Sequence, residues 1–306
     1  MSADLLGALL ASTIMMAVPL LLAALGELIA ERAGVLNIGL EGMLLSGAFA
    51  AMVTTWISGS TALGIACALA VGAGLGLLLG LFVAAWDANQ VVAGTALNLL
   101  AAGLTGVAYR AIFGVTGAAL TVSGPPPLPL PGLAALPVVG AFFAQPLLGY
   151  AAFAAVPAVG WVLARTLAGL RLRMVGENPW AAETQGVAVR RVRVVALLLC
   201  GMLAAAGGAY LALAYANTFV EGMSAGRGFI ALAIVIVGRR HPVGVLLAAL
   251  GFGFATALQF HFQALGLAVP FQFFLVLPYV LTLLVLASRA GGATAPAALG
   301  QPYRRA

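Results

Sequence analysis

Long uncharged runs, separated by short clusters of charge, dominate the chain, and most of them have the length of a membrane crossing. A helix across the hydrocarbon core needs about 20 largely apolar residues. Nothing charged lies between Asp4 and Glu27, which predicts a first span kinked at Pro19. After Glu31 and Arg32, residues 33–57 are apolar except for Asn37 and Glu41 and predict a second span. The turn at residues 58–61 leads into a third span that reaches Trp86. Asp87, Asn89 and Gln90 mark the next boundary, and a fourth span follows to about Phe113.

Residues 114–142 differ in kind. The proline-rich stretch at 123–131 cannot form a regular helix, because proline lacks an amide hydrogen and clashes with the preceding turn. This segment reads as a long extracytoplasmic loop. A fifth span covers residues 143–163, a polar segment runs from Arg165 to Arg193, and a sixth span covers 194–216. After a loop at 217–226, the uncharged run between Arg227 and Arg239 is too short for a full crossing and predicts a half-helix or part of a broken one. The last two spans fall at 243–260 and 271–287, with a tail at 289–306. The expected fold class is an all-α polytopic membrane domain over residues 1–306, with about eight to ten transmembrane helices, some short or broken.

Composition decides the solvent. Of 306 residues, 63% are hydrophobic and only 7% charged, and the mean hydropathy is +1.14. Soluble domains carry roughly 25% charged residues, so soluble enzymes, disordered tails and disulfide-stapled modules are excluded. The N-terminus has no basic region before its apolar run, so that run reads as a span rather than a cleaved signal. All the basic charge is arginine, with no lysine in the chain. That removes a P-loop and Schiff-base chemistry, so any ATP dependence must come from another chain. Neither a cofactor nor a metal is expected. Cys67 and Cys200 lie inside apolar runs and read as small core residues.

The net charge of +6 reflects topology rather than nucleic-acid binding. Arg165, Arg171, Arg173, Arg190, Arg191 and Arg193 crowd the segment 165–193, which places it in the cytoplasm. Counting spans outward puts Arg32, Arg239, Arg240, Arg289, Arg304 and Arg305 on the same side, the N-terminus outside and the C-terminus inside. Only Arg110 and Arg227 fall toward the other face.

Polar residues inside spans are expensive in lipid and are functional candidates. Asn37 and Glu41 stand four apart and are expected on one helix face at the start of span two. Two readings of Glu41 stand: a structural hydrogen bond to a neighbouring broken helix or loop, or pathway and gating duty. Thr95 and Asn98 form a second polar stripe, which either lines a conduit or joins helices. Gln259, His261 and Gln263 alternate among phenylalanines, as in an interfacial belt or a ligand vestibule. His241, between two arginines and Pro242, reads as a solvated loop residue. In the arginine-rich segment, Asn178 can cap a short helix with Pro179 at its first position, and Gly186 can end it. Such a helix suits a soluble partner, with Trp180 as anchor; the alternative is a helix lying on the membrane surface. An ion-coupled secondary transporter would need ionisable groups deep in several spans, and Glu41 is the one clear candidate.

Four motifs carry a resemblance: ERAGVLNIGLEGMLLSGAFAA from Glu31, NQVVAGTALNLLAAGLT from Asn89, VGENPWAAETQGVAVRRVRVVALLLCGMLAAAGGAYLAL from Val175, and GRGFIALAIVIVGRRHPVGVLLAALGFG from Gly226. Together they resemble bacterial ABC-importer permeases for nucleosides and simple sugars, relatives of the ribose-type and branched-chain amino-acid-type permeases, over residues 12–288. Cys200 departs from an expected serine. The resemblance implies two pseudo-repeated helical halves and a site in the bacterial cytoplasmic membrane. It also implies three kinds of partner: a homologous second permease, a cytoplasmic ABC ATPase and an extracytoplasmic substrate-binding lipoprotein. The short helix would be the coupling helix, with Arg173, Glu177, Asn178, Pro179, Trp180, Glu183 and Gly186 in the coupling loop. Asn37, Glu41, Thr95 and Asn98 would serve the pathway or its gate.

Overall fold

The computed structural model describes residues 3–114, 121–134, 139–264, 276, 280 and 295–303. Ten α-helices occur among them: α1 (Ala3–Arg32), α2 (Leu40–Ser58), α3 (Thr61–Gly80), α4 (Gln90–Phe113), α5 (Leu147–Arg165), α6 (Leu167–Glu177), α7 (Pro179–Thr184), α8 (Val189–Tyr210), α9 (Arg227–Val237) and α10 (Pro242–Ala264). Seven of these (α1, α2, α3, α4, α5, α8 and α10) are long and apolar enough to cross a membrane, whereas α9 is short. The chain is a multi-pass membrane protein. Most of the expected last span at 271–287, including Phe271, Phe273 and Phe274, lies outside the described residues, as do Arg289, Arg304, Arg305 and part of the proline-rich loop.

Helix α1 is the axis of the bundle and touches α2, α5, α8, α9 and α10. Its core residues Leu21, Leu25 and Leu28 are fully buried. Lipid is as apolar as leucine, so close packing rather than burial holds such helices together, and small residues permit it. At the antiparallel contact of α3 and α8, a side chain on Gly72 would fall on the carbonyl of Gly201, and one on Gly201 would fall on that of Gly72.

Helices α3 and α8 end alike. Each passes into a π-turn, Leu81–Ala85 and Leu211–Tyr215, followed by a residue in the left-handed region, Asp87 or Asn217, both at φ 53°. Asp and Asn tolerate that conformation better than other side chains. In both places an N–H reaches six residues back, from Ala88 to Phe82 and from Thr218 to Ala212.

Two boundaries differ from the sequence expectation. Helix α1 does not stop at Glu27 but runs on through Glu31 to Arg32, because both carboxylates find partners inside the protein and need no water. Span two does not begin at Ala33: residues 33–39 form a buried non-helical turn, and α2 starts at Leu40. Asn37 therefore does not share a helix face with Glu41. It lies in the turn, where its side-chain oxygen accepts from the N–H of Gly39 (2.9 Å), a local bond that competes with helix.

Candidate functional site

Irregular backbone at membrane depth is tolerated only where protein satisfies its polar groups. The turn at 33–39 obeys this through side chains from α1 and α4. Glu27 of α1 accepts from the N–H of Asn37 (3.0 Å), and Gln90 at the start of α4 accepts from Leu36 (2.8 Å). Asn98, two turns along α4, accepts from the N–H of Gly42 (2.8 Å) and donates to the carbonyl of Ile38 (2.9 Å). The Asn37 amide donates to the sulfurs of Cys200 (3.2 Å) and Met43 (3.3 Å), and the Cys200 thiol faces Glu27.

Just beyond the turn, Glu41 reaches α9. Its carboxylate accepts from the backbone N–H groups of Gly226 (2.8 Å) and Gly228 (2.7 Å), the first donors of that helix. A helix N-terminus has unsatisfied donors and a partial positive charge, so a carboxylate is stable there even within the membrane. Gly228 is required by the approach, since a side chain would collide with the backbone of Leu40 and Glu41. The other end of α9 is also held by the α1–α2 region. Arg240, with φ 52°, donates Nε–H to Glu31 (2.5 Å), and its carbonyl accepts from Arg32 (2.6 Å). A helix too short to span is thus pinned at one end by Glu41 and at the other by Glu31 and Arg32.

Of the four polar residues expected in the spans, Asn37, Glu41 and Asn98 meet at this turn, and Thr95 does not. Thr95 is exposed on α4 and bonds back to the carbonyl of Val91 (2.7 Å). Asn98 hydrogen-bonds across to the start of α2, and Glu41 hydrogen-bonds the start of a short helix. Gln259 is buried, and His261 Nδ1 lies 3.0 Å from the carbonyl of Ala257. His241 is exposed. Among the described residues, no three His, Cys, Asp or Glu side chains converge as metal ligands would.

The arginine-rich segment contains the short helix its residues specify. The Asn178 side chain accepts from the N–H of Ala181 (3.0 Å), Pro179 opens α7, and Gly186 follows it at φ 79°. Trp180 is half exposed, and Arg173 is exposed with a bond to its own helix at Gly169. Residues 295–303 lie against the helix. The Tyr303 ring packs on Trp180 (centroids 5.9 Å), and its hydroxyl donates to Glu183. Glu177 accepts from the N–H of Ala297 (3.3 Å), and the carbonyls of Gly176 and Gly34 accept from Ala298 (2.9 Å) and Gly300 (3.2 Å). Arg193 is not the loop charge its position suggests. It is buried and donates to the carbonyl of Gln301 (3.0 Å). One continuous set of contacts joins α7, the C-terminal segment and the turn that positions α9.

At the opposite end of α4, Arg110 grips Glu221 with two hydrogen bonds (2.9 and 2.8 Å). That contact fastens the loop at 216–226, which descends from there to Glu41. The Arg110 guanidinium holds the Glu221 carboxyl below the usual carboxylate range, chiefly through these hydrogen bonds.

Glu27, Glu31, Gln90, Arg193, Arg240 and Tyr303 were not singled out by sequence reasoning. For the glutamates a signal existed: Glu27, Glu31 and Arg32 lie within two helical turns, and no Gly, Pro, Asn or Ser stands between Glu27 and Gly34. For the others the partners are distant in sequence and left no local mark.

Residues 9–286 match the model of the family described as the permease component of the branched-chain amino acid transport system. The chain is 37% identical to the guanosine ABC transporter permease protein NupQ of Bacillus subtilis, over 98% of this chain and 97% of that one. It is 41% identical to the putative glucose ABC transporter permease protein TsgC13 of Haloferax volcanii, over 85% of this chain and 79% of the other. It is 37% identical to the nucleoside ABC transporter permease protein NupC of Lactococcus lactis, over 96% of each. No solved structure matches.

Proposed function

Since this chain belongs to the permease-component family of branched-chain amino acid transport systems, and so is a membrane-spanning transport subunit of an ABC importer, we propose that its substrate is a nucleoside. Two relatives that match it nearly end to end are a guanosine and a nucleoside permease protein, which supports this reading. The putative glucose permease favours a second one, a simple sugar.

In this reading the chain works beside a homologous second permease, a cytoplasmic ABC ATPase that supplies the hydrolysis, and an extracytoplasmic lipoprotein that delivers solute. Lactococcus lactis has two such permease proteins, NupB and NupC, which supports a heterodimer. The chain sits in the bacterial cytoplasmic membrane, N-terminus outside and segment 165–193 inside. The clustering of Arg32, Arg240, residues 165–193 and residues 295–303 at one end of the bundle supports that orientation.

The mechanism is alternating access. The observation that carries it is the double pinning of α9 by the α1 and α2 residues that flank the turn, together with the contacts that run from that turn through residues 295–303 to α7. Closure of the ATPases pushes on α7 as the coupling helix, and Arg173, Glu177, Asn178, Pro179, Trp180, Glu183 and Gly186 form or shape the surface that receives the push. The shift passes through Gly176 and Gly34 to the turn held by Glu27 and Asn98. Glu41 then carries α9 with it, which opens or closes the path between the two permeases. Asn37 and Asn98 act as the joints of this movement, and Thr95 faces away from them.

Reconstitution tests the proposal. Liposomes containing both permeases and the ATPase should take up nucleoside only with ATP inside the cytoplasmic compartment and receptor outside. Uptake driven by this chain alone would overturn it, and uptake of sugar in place of nucleoside would select the second reading.

A further inference from the structure

A groove of about 380 Å³ opens on the bundle surface between α5, α6 and α8, with Ile29 of α1 as its floor. That is within the roughly 300–1,000 Å³ typical of ligand pockets. Its walls are carbon: Val162 and Leu163 from α5, Val195 and Leu199 from α8. The groove runs about 12 Å along α8, from Arg191 to Leu199. Two cations stand at its mouth, Arg171 of α6 and Arg191 of α8. Both are exposed, and neither has an acidic or hydrogen-bonding partner among the described residues.

The surroundings mark the bilayer edge. Trp161 is 63% exposed one turn above Arg165, as aromatic and basic residues are at membrane–water interfaces. Helix α6 leaves Leu167 and Leu170 uncovered at the same level. A slot with no polar group in its wall offers nothing to a peptide backbone or to a sugar, and its charged rim attracts an anion. An acyl chain satisfies the slot and a headgroup phosphate satisfies the rim. Basic pockets between helices on the cytoplasmic side recognise anionic headgroups on this principle.

We propose that this groove is a binding site for one anionic phospholipid, its acyl chain lying between α5 and α8 and its phosphate held by Arg171 and Arg191. The lipid would brace α6, and through it the short helix α7, against the membrane-embedded bundle.

Native mass spectrometry of the detergent-purified full-length chain, titrated with phosphatidylglycerol, phosphatidylcholine or inorganic phosphate, tests this without any variant. One phosphatidylglycerol should be retained where phosphatidylcholine is stripped, and phosphate alone should neither bind nor compete. Each arginine replaced by glutamine should weaken phosphatidylglycerol about fivefold, and the Arg171→Gln/Arg191→Gln pair about thirtyfold. Arg190→Gln, outside the groove, should change nothing. Ala158→Phe, which fills the slot while keeping the arginines, should displace the lipid. Equal retention of both lipids, competition by phosphate alone, or indifference to the arginine pair would overturn the assignment. So would disulfide capture of another subunit at Ala158→Cys in membranes, because protein would then occupy the groove.

Discussion

The carboxylate of Glu41 accepts the N–H of Gly228 at 2.7 Å, joining the first turn of α2 to the first turn of a helix nearly two hundred positions later in the chain. The second oxygen takes the N–H of Gly226. An acid in a membrane span is thereby held by helix-terminal donors.

Removing that acid should loosen α9 without dissolving the bundle. Glu41→Ala leaves two N–H groups unsatisfied, at about 1–3 kcal/mol each when buried, and Glu41→Gln should cost less because one acceptor remains. Gly228→Ala should match Glu41→Ala, since its methyl group strikes the α2 backbone. Thermal melting of the purified chain ranks the three, and the proposed mechanism requires ATP-driven uptake to fall in the same order.

The far end of α9 rests on Glu31 and Arg240. Breaking one side of a buried ion pair costs about 3–5 kcal/mol, whereas replacing both partners with apolar residues of similar size is often tolerated. Glu31→Gln and Arg240→Met should each lower stability sharply, and the double variant Glu31→Leu/Arg240→Met should recover much of the loss. A double-mutant cycle read by melting temperature measures this; strict additivity would mean the pair does not couple.

At the end of α6 and in α7, Glu177→Arg and Trp180→Ala should leave folding intact, because both side chains are exposed. Uptake should nonetheless drop about tenfold or more, the size expected for an aromatic anchor in an interface, while ATP hydrolysis continues. Tyr303→Phe, which removes the hydroxyl that reaches Glu183, should give a weaker version of the same defect. Unchanged uptake at normal protein levels in Trp180→Ala membranes would refute the coupling role.

Acid should release the loop at 216–226. Glu221 is held below its ordinary value of 4.5 by Arg110, so the contact contributes fully above that value and is lost as pH falls through the lowered one. Proteolysis of this loop in outside-accessible membranes should be constant from neutral pH down to about 4.5 and rise below it. Glu221→Gln should abolish the step and leave the loop cleavable throughout.

Much of the architecture was readable along the chain. The capped helix at Asn178 and Pro179 could be found because capping is local: donor and acceptor lie three residues apart. The ends of α3 and α8 were marked in the same way by Asp87 and by the loop at Asn217. The beginning of span two was misread because Asn37 sits in an apolar run. Hydropathy reports how greasy a segment is, not whether its backbone is helical. Arg193 and Arg240 were counted as topological charges, which suits their position at the arginine-rich end of the bundle but not their burial.

What the sequence by itself determined is the membrane as solvent, the approximate spans, the end where the arginines gather, and the lack of any lysine for a P-loop. These follow from transfer energies and from residue types that are present or missing, and both are independent of how the helices are arranged. Which carboxylate pins which helix was decided by tertiary structure alone. Glu41 and Gly228 are 187 positions apart and Glu31 and Arg240 are 209 apart. No periodicity connects positions that far separated; only the packing of the helices brings an acid to the donors that let it stay in lipid.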